Sequence, residues 1–156
     1  MTKWQRVAAA GVVPGILAGA ATSIVAAVRG RLDSGSALAP INAPSHVLWG
    51  DRAAAVRKPT WRHTALDYLI NTAAGVFWAS VLYRLFGRVI ERGGAGAALA
   101  GGAATAGIAY LTDYRLVPGR LTPGYEKRVS GRSLFLIYGA LALALAAGAR
   151  IGGRAR

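Results

Sequence analysis

Val7-Ala-Ala-Ala-Gly11-Val-Val-Pro14-Gly15-Ile-Leu-Ala-Gly19-Ala-Ala-Thr22-Ser23-Ile-Val-Ala-Ala27-Val28 runs for 22 residues without a charge. A helix rises about 1.5 Å per residue, so roughly 20 apolar residues cross a hydrocarbon core of about 30 Å. Length alone marks the run as a candidate membrane span. Its small residues are also ordered. Gly11, Gly15, Gly19, Ser23 and Ala27 recur every four residues, which puts them on one helix face. Lipid supplies no hydrophobic drive between helices, and a smooth face lets two backbones approach and gain dispersion contacts. Five such positions in register predict a packing groove.

Moving outward, Gly93–Thr112 holds 20 residues and Ser133–Ala149 holds 17, again with no charge, while Thr64–Tyr83 is broken only by Asp67. The expectation is an all-α chain forming a single integral membrane domain over 1–156. It would be a bundle of four transmembrane helices at about 7–28, 64–86, 93–112 and 133–149. Ala97/Gly101 and Ala98/Gly102 repeat the small-residue spacing. The first and third helices are therefore predicted to form the tight centre. The second and fourth, with Phe77, Leu82 and Leu85 or Leu134, Ile137, Leu141 and Leu145, would wrap outside. Pro14 is expected to kink the first helix or to sit in its first turn.

Charge supports the same class. The 156 residues carry 19 Lys and Arg against 6 Asp and Glu, a formal charge of +13. A soluble nucleic-acid-binding protein would spread that charge along helix faces. Here it gathers at the ends of apolar runs, so no nucleic-acid partner is expected. Cysteine is absent, which removes disulfides and thiolate metal sites. Two histidines without an HExxH pattern give no metal and no cofactor expectation. Met1–Arg6 before an apolar run has the look of a signal peptide, but the run exceeds a usual h-region and three more follow, so a retained first helix is expected.

Four crossings put Met1–Arg6, the link Arg84–Arg92 and the tail Arg150–Arg156 on one side. Denser basic charge there places both termini in the cytoplasm. The opposite side carries the loops Arg29–His63 and Asp113–Arg132. Within the first loop, Ala43–Val56 predicts a short interfacial helix with Trp49 at headgroup depth; the alternative is an ordered loop packed over the bundle.

This loop side also gathers the polar candidates. His63, Asp67 and Asn71 are spaced by four, and Asp113 ends the third run on the same side. An ionised carboxylate at that depth must be paired, wet or protonated. His63, Arg62 and Arg132 are the candidate partners of Asp67, with Arg115 beside Asp113. Pairing would make the carboxylates structural; otherwise the cluster suits a proton relay or a cation. Arg115-Leu-Val-Pro-Gly119 and Arg120-Leu-Thr-Pro-Gly124 repeat one motif. Pro-Gly predicts a type II turn in each. Arg115 and Arg120 would then form a clamp for anionic lipid headgroups, or else remain simply solvated.

The function expected from these features is non-enzymatic. The chain would be an accessory subunit or envelope factor acting through helix packing at Gly11, Gly15, Gly19, Gly101 and Gly102 and through its loop face. Its partners would be the lipid bilayer, anionic headgroups and a membrane protein or second copy. The alternative is a small proton- or ion-linked transporter using Asp67 and Asp113. A lipid-modifying enzyme with His63 and Asp67 as base and orienter lacks a nucleophile, metal set or phosphate loop.

Gly15-Ile-Leu-Ala-Gly-Ala-Ala-Thr-Ser-Ile-Val25, then His63 with Val76-Phe-Trp-Ala-Ser-Val-Leu-Tyr83, and Leu121-Thr-Pro123 together resemble small bacterial inner-membrane proteins of the YagU-like kind. The resemblance covers under half the chain. It implies a multi-pass bacterial membrane protein with an envelope or stress role, and it carries over no site residue.

Overall fold

The computed structural model describes residues 2–154, so Met1, Ala155 and Arg156 of the basic termini lie outside the described residues. Among those residues the chain is helical throughout, with no strand. The first helix, α1 (Lys3–Ser34), opens on a capping box. Thr2 Oγ1 accepts from the Gln5 N–H at 3.2 Å, and Gln5 Oε1 accepts from the Thr2 N–H at 2.7 Å. This satisfies two donors that a helix start leaves free. The helix runs on past the expected end at 28 and carries Arg29 and Asp33 with it. It also passes through Pro14, which lies in its interior rather than in its first turn.

Two short helices, α2 (Leu38–Asn42) and α3 (His46–Trp49), fold the first loop. They are followed by the long α4 (Leu66–Leu111) and by α5 (Gly131–Arg154). Among the described residues three helical segments are long and apolar enough to cross a membrane: Trp4–Ser34, Trp61–Leu116 and Gly131–Gly152.

The middle segment is a hairpin. Gly94 has φ 64° and ψ −142° inside α4, a conformation that a side chain would strain and glycine tolerates. Beyond it the chain doubles back, because Gly101 packs against Leu82, Phe86 and Ile90. In a straight helix Leu82 and Gly101 would stand about 28 Å apart. The 66–93 and 95–111 arms are thus antiparallel neighbours. The expected link at Arg84–Arg92 is instead the last turns of the 66–93 arm, and the reversal falls at Gly94.

Packing corrects the predicted centre. The small face of α1 meets the 66–93 arm, not the third helix. Gly11 lies against Ser80, Gly15 against the Val76 backbone and Gly19 against Thr72, while Gly75 faces the Gly15 carbonyl. The reason is complementarity: Gly75 is the small residue on the partner that lets the two backbones touch. Gly102 packs instead on Ala142 and Ala146 of α5, and Gly148 of α5 lies on Pro14. Nor does α5 wrap outside, since Leu134, Ile137, Leu141 and Leu145 are all buried in the core with Leu82. Phe77 and Leu85 do face outward.

In place of one helix over 43–56, the first loop forms a chain of short turns laid over the bundle end. A turn at Ala43–Ser45 leads into α3, and another spans Asp51–Ala55 after Gly50. Fully buried Asn42 ties them down. Its Nδ2 donates to the Val56 and Lys58 carbonyls at 2.9 and 3.2 Å, and its Oδ1 accepts from Thr64 Oγ1 at 2.8 Å.

Candidate functional site

At this loop end three of the helical arms, the turn that follows the 95–111 arm and the two loops enclose a small cavity of about 150 Å³. Its polar lining comes from Thr22 on α1, Asn71 on the 66–93 arm, Asp113 just beyond the 95–111 arm, Tyr138 on α5 and Tyr125 from the second loop. Trp78, Ile137 and Leu141 supply an apolar floor, and Val47, Leu121 and Pro123 form part of the loop cover. At roughly 30 Å³ per water the space matches about five waters or one small hydrated ion.

Each polar group is placed by its helix. Asn71 reaches across to α1, where its Nδ2 lies 3.0 Å from each of Gly19 O, Thr22 Oγ1 and Ser23 Oγ. Gly19 permits this approach, because a side chain there would crowd Thr72. Asp113 accepts a hydrogen bond from the Tyr138 hydroxyl at 2.6 Å. The Tyr138 ring packs edge-on against Tyr110 and Tyr114, with centroids 5.4 and 6.0 Å away. Tyr125 is near enough to Thr22, Asp67 and Asp113 to interact with each, and burial pushes its phenol above the ordinary tyrosine value. It therefore stays protonated and can both donate and accept.

Asp67 sits one helical turn before Asn71 and is 2 % exposed. The Ser45 backbone N–H faces its carboxyl. Its Oδ1 has no hydrogen-bond partner among the described residues. None of the partners expected from sequence reaches it. His63 Nδ1 lies 3.2 Å from Ser45 Oγ, and Arg62 stacks over the Trp49 ring at 4.1 Å. Arg132 faces outward, as does Arg115 near Asp113. Among the described residues every ion pair involves Asp33 or Asp51, never Asp67 or Asp113. The structure thus brings Asn71, Asp113 and Tyr125 into one lining, keeps Asp67 buried outside it, and leaves His63 against Ser45.

The repeated Pro-Gly motif divides. Gly124 has φ 80° and ψ −5°, the value that the third position of a type II turn requires, and it packs on His46 and Ala43 where a side chain would not fit. Gly119 has no positive φ and opens a 3₁₀ turn over Gly119–Leu121 instead. The two arginines consequently part company. Arg120 Nε donates to the Val47 carbonyl at 3.3 Å and shares a groove with Asp51, Glu126 and Lys127. Arg115 is exposed and lies outside that groove. Lys127 ion-pairs with Asp51, whose carboxyl is held below its usual range mainly by that hydrogen bond.

Sequence reasoning missed Thr22, Tyr138 and the position of Tyr125. A signal existed for Tyr138, the one hydroxyl-bearing aromatic within the last apolar run. Among the described residues no three His, Asp or Glu groups converge as a metal ion would need. Compared with protein-family models, curated proteins and solved structures, the chain matches none.

Proposed function

We propose that this is a four-crossing membrane protein that takes up a proton or small cation at its loop end through Asp113, which lines the cavity, and Asp67, which is buried outside that lining, as a small ion-linked transporter would. The observation that supports this best is Asp67: buried within a membrane-length helix and without a basic partner among the described residues. Carboxylates that only fix geometry look different in the same molecule, since Asp33 pairs with Arg29 and Asp51 with Lys127. Ionisable groups inside spans mark ion and proton paths when they are not so paired. Carboxyl, amide, hydroxyl and phenol oxygens are hard ligands suited to protons and small cations rather than to soft metals. The site acts by binding, without covalent catalysis.

In this reading α1, the two arms of α4 and α5 each cross once. The termini lie in the cytoplasm, where short segments carry dense basic charge, and Trp49 rests at headgroup depth on the other side. The YagU-like resemblance is the support for a bacterial inner membrane.

The deciding experiment is reconstitution in liposomes with a pH- or cation-sensitive dye. Wild type should conduct or exchange, and Asp67→Asn and Asp113→Asn should each abolish flux with thermal unfolding unchanged. A wild type without flux, or full flux in both variants, refutes the proposal. A second reading, an accessory subunit or envelope factor, draws on the outward Trp61 and Leu116 of the loop face, 90 % and 76 % exposed. A stoichiometric membrane partner or a homo-oligomer held through those residues, with flux absent, would favour it.

A further inference from the structure

At the terminal end of the bundle lies a second, open groove, lined by residues separate from those of the loop cavity. Arg6 of α1 and Arg84 and Arg88 of the 66–93 arm line an open space of about 690 Å³, together with Val7, Ala10 and Leu85. Arg84 and Arg88 are four residues apart, so they share a helix face. Glu91 is the one acid in the lining, and among the described residues none of the three arginines forms an ion pair. The Arg84 guanidinium lies over the Trp4 ring at 5.8 Å, and Trp4 is 67 % exposed. An exposed tryptophan at the end of an apolar run is the usual anchor at headgroup level.

Three guanidiniums in one groove repel one another until an anion joins them, and each can grip phosphate oxygens in bidentate fashion. The groove volume falls within the range of roughly 300–1,000 Å³ typical of ligand sites. Its apolar wall would be idle against a soluble anion but suits hydrocarbon. We propose that this groove binds one anionic phospholipid. The phosphodiester lies among Arg6, Arg84 and Arg88, and an acyl chain runs along Val7, Ala10 and Leu85. Of the loop arginines first expected to clamp lipid, Arg120 shares its groove with Asp51 and Glu126, whereas no acid lines the terminal groove except Glu91.

Native mass spectrometry of the full chain in detergent, titrated with phosphatidylglycerol or phosphatidylcholine, tests this. Phosphatidylglycerol should be retained preferentially, and each Arg→Gln change in the groove should weaken its binding roughly fivefold. The triple variant should lose the preference, whereas Arg115→Gln with Arg120→Gln should keep it. Thermal unfolding monitors the fold, and Arg88→Gln alone gives the same readout should the triple variant not fold. An unchanged preference in the folded triple variant, or in Arg88→Gln, overturns the proposal. So does an equal loss in the loop variant, or full displacement by millimolar inorganic phosphate, which would make the groove a free-phosphate site.

Discussion

At the loop end Asp33 accepts from the Ser130 N–H at 2.8 Å and pairs with Arg29, while Arg29 Nε donates to Ser133 Oγ at 2.7 Å. These contacts fasten the end of α1 to the start of α5. Asp51 holds Lys127 across the two loops, and His46 Nε2 lies 2.9 Å from the Thr122 carbonyl. Towards the terminal end the helices are held otherwise. Gly11, Gly15 and Gly148 bring backbone against backbone, and the arginines stand without acidic partners among the described residues. One end is tied by directional bonds between charges and amides. The other is tied by shape, which leaves its charge available. Cohesion and charge neutralisation are thus separate tasks, and a membrane protein can leave the second to its lipids.

The sharpest way to break this contrast is Gly15→Leu. Its first carbon would collide with the Val76 backbone, and a helix backbone cannot yield as a side-chain tip does. Overpacking costs about 1–3 kcal/mol where side chains can adjust, so a loss of about 3 kcal/mol or more is expected. Thermal unfolding in detergent measures it. Gly107→Ala, where nothing lies within 4 Å, should leave stability unchanged or raise it by up to about 1 kcal/mol.

Asn42→Ala comes next. It strips three half-buried hydrogen bonds from the first loop, each worth about 1 kcal/mol, for a cost of about 2–3 kcal/mol. Proteolysis of the loop should accelerate while the helices persist. Asp33→Ala removes the acceptor for Ser130 at the start of α5, worth about 1 kcal/mol as lost caps go; amide exchange at Ser130 should report the change.

The Asp51–Lys127 clasp gives the smallest effect, and its sign is fixed. The folded carboxyl titrates below its ordinary value of 3.8. Its contribution is therefore complete above that value and is lost as pH falls through the lower, folded one. The clasp should contribute an acid step in Trp49 fluorescence below about pH 4, and Lys127→Ala should abolish that step; an acid step of the same size in Lys127→Ala would contradict the assignment.

Some of the site was legible. The spacing of His63, Asp67 and Asn71 marked one face of one helix, and charge-free runs around Asp113 placed it at the same end. Helical periodicity and solvent preference act locally, so a single strand of text records them. The identity of each neighbour is another matter. Asp67 was expected to meet an arginine, yet Arg62 prefers the Trp49 face and Arg132 points out. Tyr125 enters the cavity lining beside Asp113 where Gly124 turns the second loop onto His46.

By itself the sequence determined that the chain is helical, that its long segments suit lipid, and that small residues every fourth position make a groove. Those properties follow from rise per residue, side-chain polarity and the absence of a Cβ. Only the tertiary structure decided which helix fills the groove, where α4 reverses and which acids go unpaired. Gly15 matches Gly75 rather than any residue of the 95–111 arm, and Gly94 alone of the glycine run takes a positive φ. Such choices depend on how whole surfaces fit at once, a sum over distant contacts that no local pattern carries.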